Sequence, residues 1–217
     1  MTFHPIVTRD RVLVNGKTGS GKGNRVKAIC AGEMKRETRI VAFDPHDEYS
    51  VKGHATDHVR LGPLRERCTA DQLLSAPAKW LDRRDLALAV VPDMSNRKAC
   101  GEDFIEVAEL VRHTGNLLFV VEEIGYFGDK CADELEDVAC QYRHAGVSCI
   151  FVSQCAVQIT KTARRQMSQL YTGRQDDPAD LRAIAEITKS ADFARRVSEL
   201  PAGELLHWHE GQTTPEK

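Results

Sequence analysis

No apolar run in this 217-residue chain approaches the ~20 residues that a membrane-crossing helix needs, which excludes an intrinsic membrane span. Nor is there an excess of charge: 30 basic residues meet 32 acidic ones, for a formal net charge of −2. Wholesale attraction to nucleic acid is therefore excluded, and any contact with a polyanion must come from local patches or an oligomeric channel. The seven cysteines are odd in number, scattered and without a CxxC pair. That argues against a disulfide framework or a zinc site, and for small buried thiols in a reducing cytosol. The eight histidines supply no ligand set, since His54/His58 and His207/His209 have suggestive spacings but no third partner. The opening Met1-Thr2-Phe3-His4 does not read as a secretory signal. Internal repeats and low-complexity segments are also missing.

What is present fits one globular domain. The apolar fraction is 41%, enough for a core of ordinary size. Residues 1–212 read as a single domain and 213–217 as a frayed tail. The pattern predicts strands at Arg11–Val14, Arg39–Phe43, His58–Leu61, Leu86–Val91, Leu117–Val121, Ser148–Ser153, Leu170–Gly173 and Glu204–His209. It predicts helices at Lys22–Lys35, Ala70–Ser75, Glu102–His113, Asp133–Ala145, Pro178–Glu186 and Ala191–Glu199. Gly115-Asn116 and Ala145-Gly146 sit where C-terminal caps belong. Short, nearly all-apolar strands alternating with helices imply an α/β fold, with a mostly parallel central sheet flanked by helices.

The most informative stretch is Gly16-Lys17-Thr18-Gly19-Ser20-Gly21-Lys22, set between the strand Val12-Leu13-Val14 and a helix. This is a Walker A pattern, whose glycines let backbone N–H groups approach phosphates at a helix N-terminus while Lys22 reaches the β/γ-phosphates. The shortened pattern arises by chance in roughly 5–10% of chains of this length. A flexible surface turn is the competing reading, and the strand before and helix after favour the phosphate loop. Gly23 stands where a Ser or Thr hydroxyl normally ligates Mg²⁺, and Asn24 follows it.

A second cluster of chemistry lies downstream. The apolar strand Leu117–Val121 ends in Glu122-Glu123, a Walker B layout at the sheet edge that faces a ligand crevice. Glu122 is the candidate for holding Mg²⁺ through its waters, in a place more often taken by Asp, and Glu123 is the candidate base. The strand Cys149–Val152 ends in Ser153-Gln154, where Gln154 is placed to sense a γ-phosphate or fix a water. Arg143 closes a predicted helix. It is either an ordinary C-terminal cation or an arginine finger reaching a neighbour's nucleotide.

Taken together and in order, these motifs resemble the FtsK–HerA superfamily of DNA-pumping ATPases. The resemblance runs from about Arg9 to His209. It includes Phe43-Asp44-Pro45-His46-Asp47-Glu48-Tyr49, Tyr142-Arg143-His144-Ala145-Gly146-Val147-Ser148 and Leu200-Pro201-Ala202-Gly203-Glu204. The compactness of the chain is similar to that of genome-packaging ATPases of membrane-containing icosahedral viruses with double jelly-roll capsids. The resemblance implies a P-loop NTPase with a RecA/HerA-like core, using ATP and Mg²⁺. It implies a homo-hexameric ring with nucleotide between subunits and double-stranded DNA in the pore. It also implies Gln154 as sensor and Arg143 as finger in trans. Capsid-vertex or membrane proteins would be further partners, and the host cytoplasm or the virion the place of action. Gly23 and Glu122 depart from the pattern, and both touch the metal.

Candidate DNA contacts are Arg97-Lys98, and Lys161 with Arg164-Arg165, each of which a ring would repeat into a positive collar. Arg195-Arg196 reads as a solvent or neighbour-facing pair. Competing functions are a cellular or plasmid DNA translocase, a nucleotide-binding assembly or regulatory protein with little turnover, and a small-molecule kinase. No arginine-rich lid supports the kinase.

Overall fold

A computed structural model describes residues 10–50 and 63–211. Its strands are β1 (Arg11–Asn15), β2 (Ile40–Phe43), β3 (Glu66–Thr69), β4 (Ala87–Val91), β5 (Leu118–Val121), β6 (Ser148–Ser153), β7 (Gln169–Gly173) and β8 (Leu205–His209). They form one sheet in the order β3-β4-β2-β5-β6-β1-β7-β8. Every pairing is parallel except β7 with β8, which closes one edge antiparallel. The α-helices are α1 (Lys22–Met34), α2 (Ala70–Ser75), α3 (Pro77–Leu81), α4 (Arg97–Thr114), α5 (Ile124–Phe127), α6 (Ala132–Cys140), α7 (Lys161–Arg164), α8 (Pro178–Thr188) and α9 (Ala191–Ser198). The expected α/β class with a mostly parallel sheet is the one found.

The central strands are apolar on both faces because both faces are covered. Leu13 packs into one layer, with Phe43, Phe104, Phe119 and Phe127. Val12 and Val14 point to the other layer, with Val26 and Ile29 of α1. Phe43 meets Phe104 and Phe127 edge-on, at centroid distances of 5.3 and 5.2 Å. Parallel pairing has one consequence for function: the C-terminal ends of the neighbouring strands β2, β5, β6 and β1 open on the same edge. That edge gathers Asp44, Glu122, Gln154 and Gly16, and β6 lies between β5 and β1.

Several expectations need correction. The predicted strand His58–Leu61 lies outside the described residues. The strand at the edge of the described sheet, Glu66–Thr69, was not expected, since its half-exposed Glu66 and Arg67 hide any apolar pattern. Helix α4 starts at Arg97 rather than Glu102, because the Asn96 side chain accepts from the Lys98 and Ala99 N–H groups at 3.0 and 2.9 Å. The helix predicted over Asp133–Ala145 stops at Cys140 and continues as a tighter turn over Tyr142–Ala145. The buried Tyr142 turns inward there and bonds Glu134. Gly115 (φ 59) ends α4, and Gly146 (φ 74) ends the tighter turn. Among the described residues no helix is long and apolar enough to cross a membrane.

Candidate functional site

The loop between β1 and α1 has the backbone of an anion cradle. Gly19 and Gly21 adopt φ of 81 and 87, a region that only glycine enters without strain. Gly16 is packed closely: a Cβ there would meet Ser20 Oγ at 2.7 Å and the Gly173 backbone at 3.2 Å. Gly21 is the N-cap of α1 and no side chain caps that helix, so its first N–H groups point outward without an internal acceptor. Lys22 leans back over the loop and donates to the carbonyls of Gly16 (2.6 Å) and Lys17 (3.3 Å). Burial lowers its pKa, while Glu122 and Glu123 push the other way. Lys17 pairs with Asp176 at 2.5 Å, and Thr18 and Asn24 are exposed.

Opposite the loop stand the carboxylates. Glu122 is buried; Oε1 accepts from the Tyr49 hydroxyl at 3.1 Å and Oε2 has no partner among the described residues. Burial pushes its pKa up to about 8, against the pull of the Tyr49 hydrogen bond. Asp44, fully buried, accepts from the Tyr49 N–H at 2.8 Å through Oδ2, while Oδ1 is likewise unpartnered. Burial raises its pKa to about 6. Glu123 holds φ 52, ψ 45, a left-handed conformation that costs a non-glycine residue roughly 1–3 kcal/mol and concentrates at functional sites. Its Oε1 accepts from Gln154 Nε2 at 2.8 Å. Gln154 is in turn fixed by its own backbone, donating to Gln158 Oε1 at 3.1 Å and accepting from Gln175 Nε2 at 2.8 Å.

One cleft of about 440 Å³ unites these groups, lined by the 18–24 stretch of the loop together with Lys27, His46, Glu48, Glu122, Glu123 and Gln154. A second cleft, of about 620 Å³, opens beside it between Gly21, Asn24, Arg25 and the Gly203–Leu205 turn. Residues placed together from sequence alone thus share one space, across more than a hundred positions. Arg143 does not join them within the chain. It is exposed in the turn that leads into β6, at the opposite end of that strand from Gln154.

No group of three or more His, Cys, Asp or Glu among the described residues is arranged to hold a metal alone. The donor set nonetheless suits Mg²⁺, which binds through one or two carboxylates and completes its shell with water and phosphate. The unpartnered oxygens of Glu122 and Asp44 are the structural sign of that fit. The cysteines are free, five buried and two partly buried, as expected.

The basic candidates are largely engaged with acids. Arg97 pairs with Asp129 at 2.8 Å and Lys98 with Glu102 at 3.3 Å. Lys161 and Arg164 share Glu186 at 3.8 and 3.7 Å, and Arg195 spans Asp192 and Glu199. The exposed pairs of Arg97, Lys98, Lys161 and Arg195 are weak enough to exchange partners, whereas the Arg164 side chain is largely buried and also donates to the Ile159 carbonyl at 3.0 Å. Sequence reasoning gave no individual role to Tyr49, Glu48, Lys27 or Gln175. The Asp44–Tyr49 stretch was the available signal: five titratable residues directly after a buried strand.

Residues 6–129, more than half of the chain, match the family described as Helicase HerA, central domain. The chain belongs to that family. A search of curated proteins returns no significant match. Among solved structures, the genome packaging NTPase B204 of Sulfolobus turreted icosahedral virus 2, in complex with AMPPCP, superposes with a TM-score of 0.70 at 17% identity, covering 96% of each chain. VirB4 of Thermoanaerobacter pseudethanolicus gives 0.64 at 13%, covering 94% of this chain and 87% of its own. The pCW3 conjugation coupling protein TcpA gives 0.55 at 15%, covering 96% of this chain and 59% of its own. These likenesses place the fold among P-loop NTPases of the HerA/FtsK type.

Proposed function

We propose that the chain is an ATP-driven DNA translocase that pumps a viral genome into a procapsid. The observation that carries the reading is the Gln154–Glu123 hydrogen bond, in the cleft that Lys22 and the open α1 N-terminus face. The loop N–H groups from Gly16 to Asn24 and Lys22 would hold the triphosphate. Mg²⁺, when bound, would neutralise charge developing on the β/γ oxygens. Glu122 would hold it through water, and Glu123 would accept a proton from the attacking water while Gln154 keeps the carboxylate aimed. Because Arg143 lies away from the cleft in its own chain, it would act on a neighbour's nucleotide in a homo-hexameric ring. Duplex DNA would pass through the pore past Arg97-Lys98 and Lys161/Arg164-Arg165. A capsid vertex or a membrane protein would dock the ring, in the host cytoplasm or the virion. The end-to-end likeness to a packaging NTPase supports packaging over other DNA transport.

Gly23 favours a second reading, a nucleotide-binding regulator with little turnover. Steady-state ATP hydrolysis with and without duplex or single-stranded DNA separates the two. Stimulation by duplex is expected. Absence of Mg²⁺-dependent hydrolysis, with or without DNA, would overturn the translocase and leave the regulator. Mixing Arg143→Ala with Lys22→Ala subunits should recover part of the activity if Arg143 acts in trans, and no recovery would overturn that role.

A further inference from the structure

The phosphate loop lacks a hydroxyl at Gly23, and the structure shows what stands in front of the gap. A Cβ built at Gly23 would lie 3.6 Å from Glu48 Oε2. A serine hydroxyl turned that way would be one C–O bond nearer. The Glu48 carboxylate therefore borders the space a Ser or Thr oxygen would enter. It is not a loose surface group. Lys27 of α1 holds the same oxygen at 3.4 Å and lies over the Tyr49 ring, 5.6 Å from its centroid. The Glu48 backbone belongs to the turn that buried Asp44 organises, through the N–H groups of Glu48 and Tyr49. Across the same cleft, Glu122 directs a buried, unpartnered Oε2.

We propose that Glu48 supplies, through its carboxylate, the cation ligand that Gly23 removes. Glycine at position 23 and glutamate at position 48 then form one unit. The small residue leaves room for the carboxylate to reach the ion, and the carboxylate replaces a neutral oxygen with a charged one. Lys27 offsets part of the added charge and restricts the carboxylate's rotamers. A hard oxygen donor from a loop is suited to Mg²⁺ or Mn²⁺ that arrives with phosphate. Asn24, the neighbouring alternative, is exposed on the helix's first turn.

This inference rests on the nucleotide reading, and the experiment separates the two. The probe is Mn²⁺, whose binding to the protein–AMPPCP complex is followed by electron paramagnetic resonance. AMPPCP affinity is measured in parallel by calorimetry in EDTA and in Mg²⁺. Glu48→Gln should weaken Mn²⁺ binding roughly tenfold to a hundredfold, the range seen when groups that orient a metal are lost, and leave AMPPCP affinity in EDTA within about twofold. Gly23→Ser alone should change Mn²⁺ affinity by less than about threefold, because the position is already served. The double variant Gly23→Ser/Glu48→Gln should regain most of the lost affinity, a result that a merely structural Glu48 would not give. Unchanged Mn²⁺ binding in Glu48→Gln, or a tenfold gain in Gly23→Ser alone, would overturn the assignment. Wild-type protein that binds no AMPPCP in either EDTA or Mg²⁺ would instead overturn the nucleotide reading itself.

Discussion

The two ends of the sheet treat buried polar groups in opposite ways. At the N-terminal ends of the strands, Arg11 is buried and donates to three carbonyls: Ala139 at 2.7 Å, Val147 at 2.8 Å and Asp10 at 3.0 Å. Arg39, half-buried, donates to the carbonyls of Leu81, Arg83 and Gly115. Each cation ties strands to the connections that precede them. At the C-terminal ends, Asn15, Ser20, Asp44 and Glu122 keep buried polar atoms that no other described residue satisfies. An unpaired buried polar atom costs about 1–3 kcal/mol. One end is closed mainly by its own hydrogen bonds, while the other gathers several buried polar atoms suited to something that brings charge and hydrogen-bonding capacity. In the function proposed above, that something is ATP with Mg²⁺.

Variants at the two ends should fail in different ways. The largest effect belongs to the loop: Lys22→Ala should lower AMPPCP affinity in Mg²⁺ by about a hundredfold or more, since a charge-assisted contact to phosphate is lost. Calorimetry checks it, and the unfolding midpoint should barely move. Next comes Arg11→Ala at the other end. It strands two buried carbonyls and a partly buried one and should destabilise the fold by roughly 3 kcal/mol, lowering Tm by about 6–12 °C. Its AMPPCP affinity per folded molecule should stay near wild type. Glu122→Gln should invert the usual sign. Removing a buried carboxylate close to Asp44, Glu123 and Glu48 should stabilise the protein by about 1–2 kcal/mol in EDTA at neutral pH, because Gln still accepts from Tyr49. The same variant should lose Mg²⁺-dependent hydrolysis. A drop in its melting temperature would break the contrast between the two ends. The smallest effect is Ser20→Ala, expected within about 0.5 kcal/mol in denaturant titration, since Ser20 Oγ has no partner to lose.

The sheet's middle was legible because β1, β2, β5 and β6 are apolar on both faces, a pattern that few other structures require. Strand β3 was not, because this edge strand buries only Cys68 and starts with two adjacent half-exposed charged residues, Glu66 and Arg67, which break any alternation. The first turn of α4 was missed for a different reason: Arg97 and Lys98 carry no apolar signal, and only the Asn96 cap marks the true start. Legibility at the site followed a similar rule. Lys22, Glu122, Glu123 and Gln154 each stand at the end of a strand or the start of a helix, so position in the chain predicts position in the cleft. The links that organise them are tertiary. Tyr49 to Glu122, Gln175 to Gln154 and Glu48 to Gly23 span 21 to 73 positions or depend on the path of a loop, and no local pattern encodes them.

The central claim is that the unfinished end of the sheet is a working ATP–Mg²⁺ site. Steady-state ATP hydrolysis by wild-type protein and Glu123→Gln, each in Mg²⁺ and in EDTA, tests it most directly. The account predicts Mg²⁺-dependent turnover in the wild type, a fall of about 10²–10³ in Glu123→Gln, and AMPPCP affinity retained in that variant. Equal rates in the two proteins, or wild-type turnover that EDTA does not abolish, would contradict it.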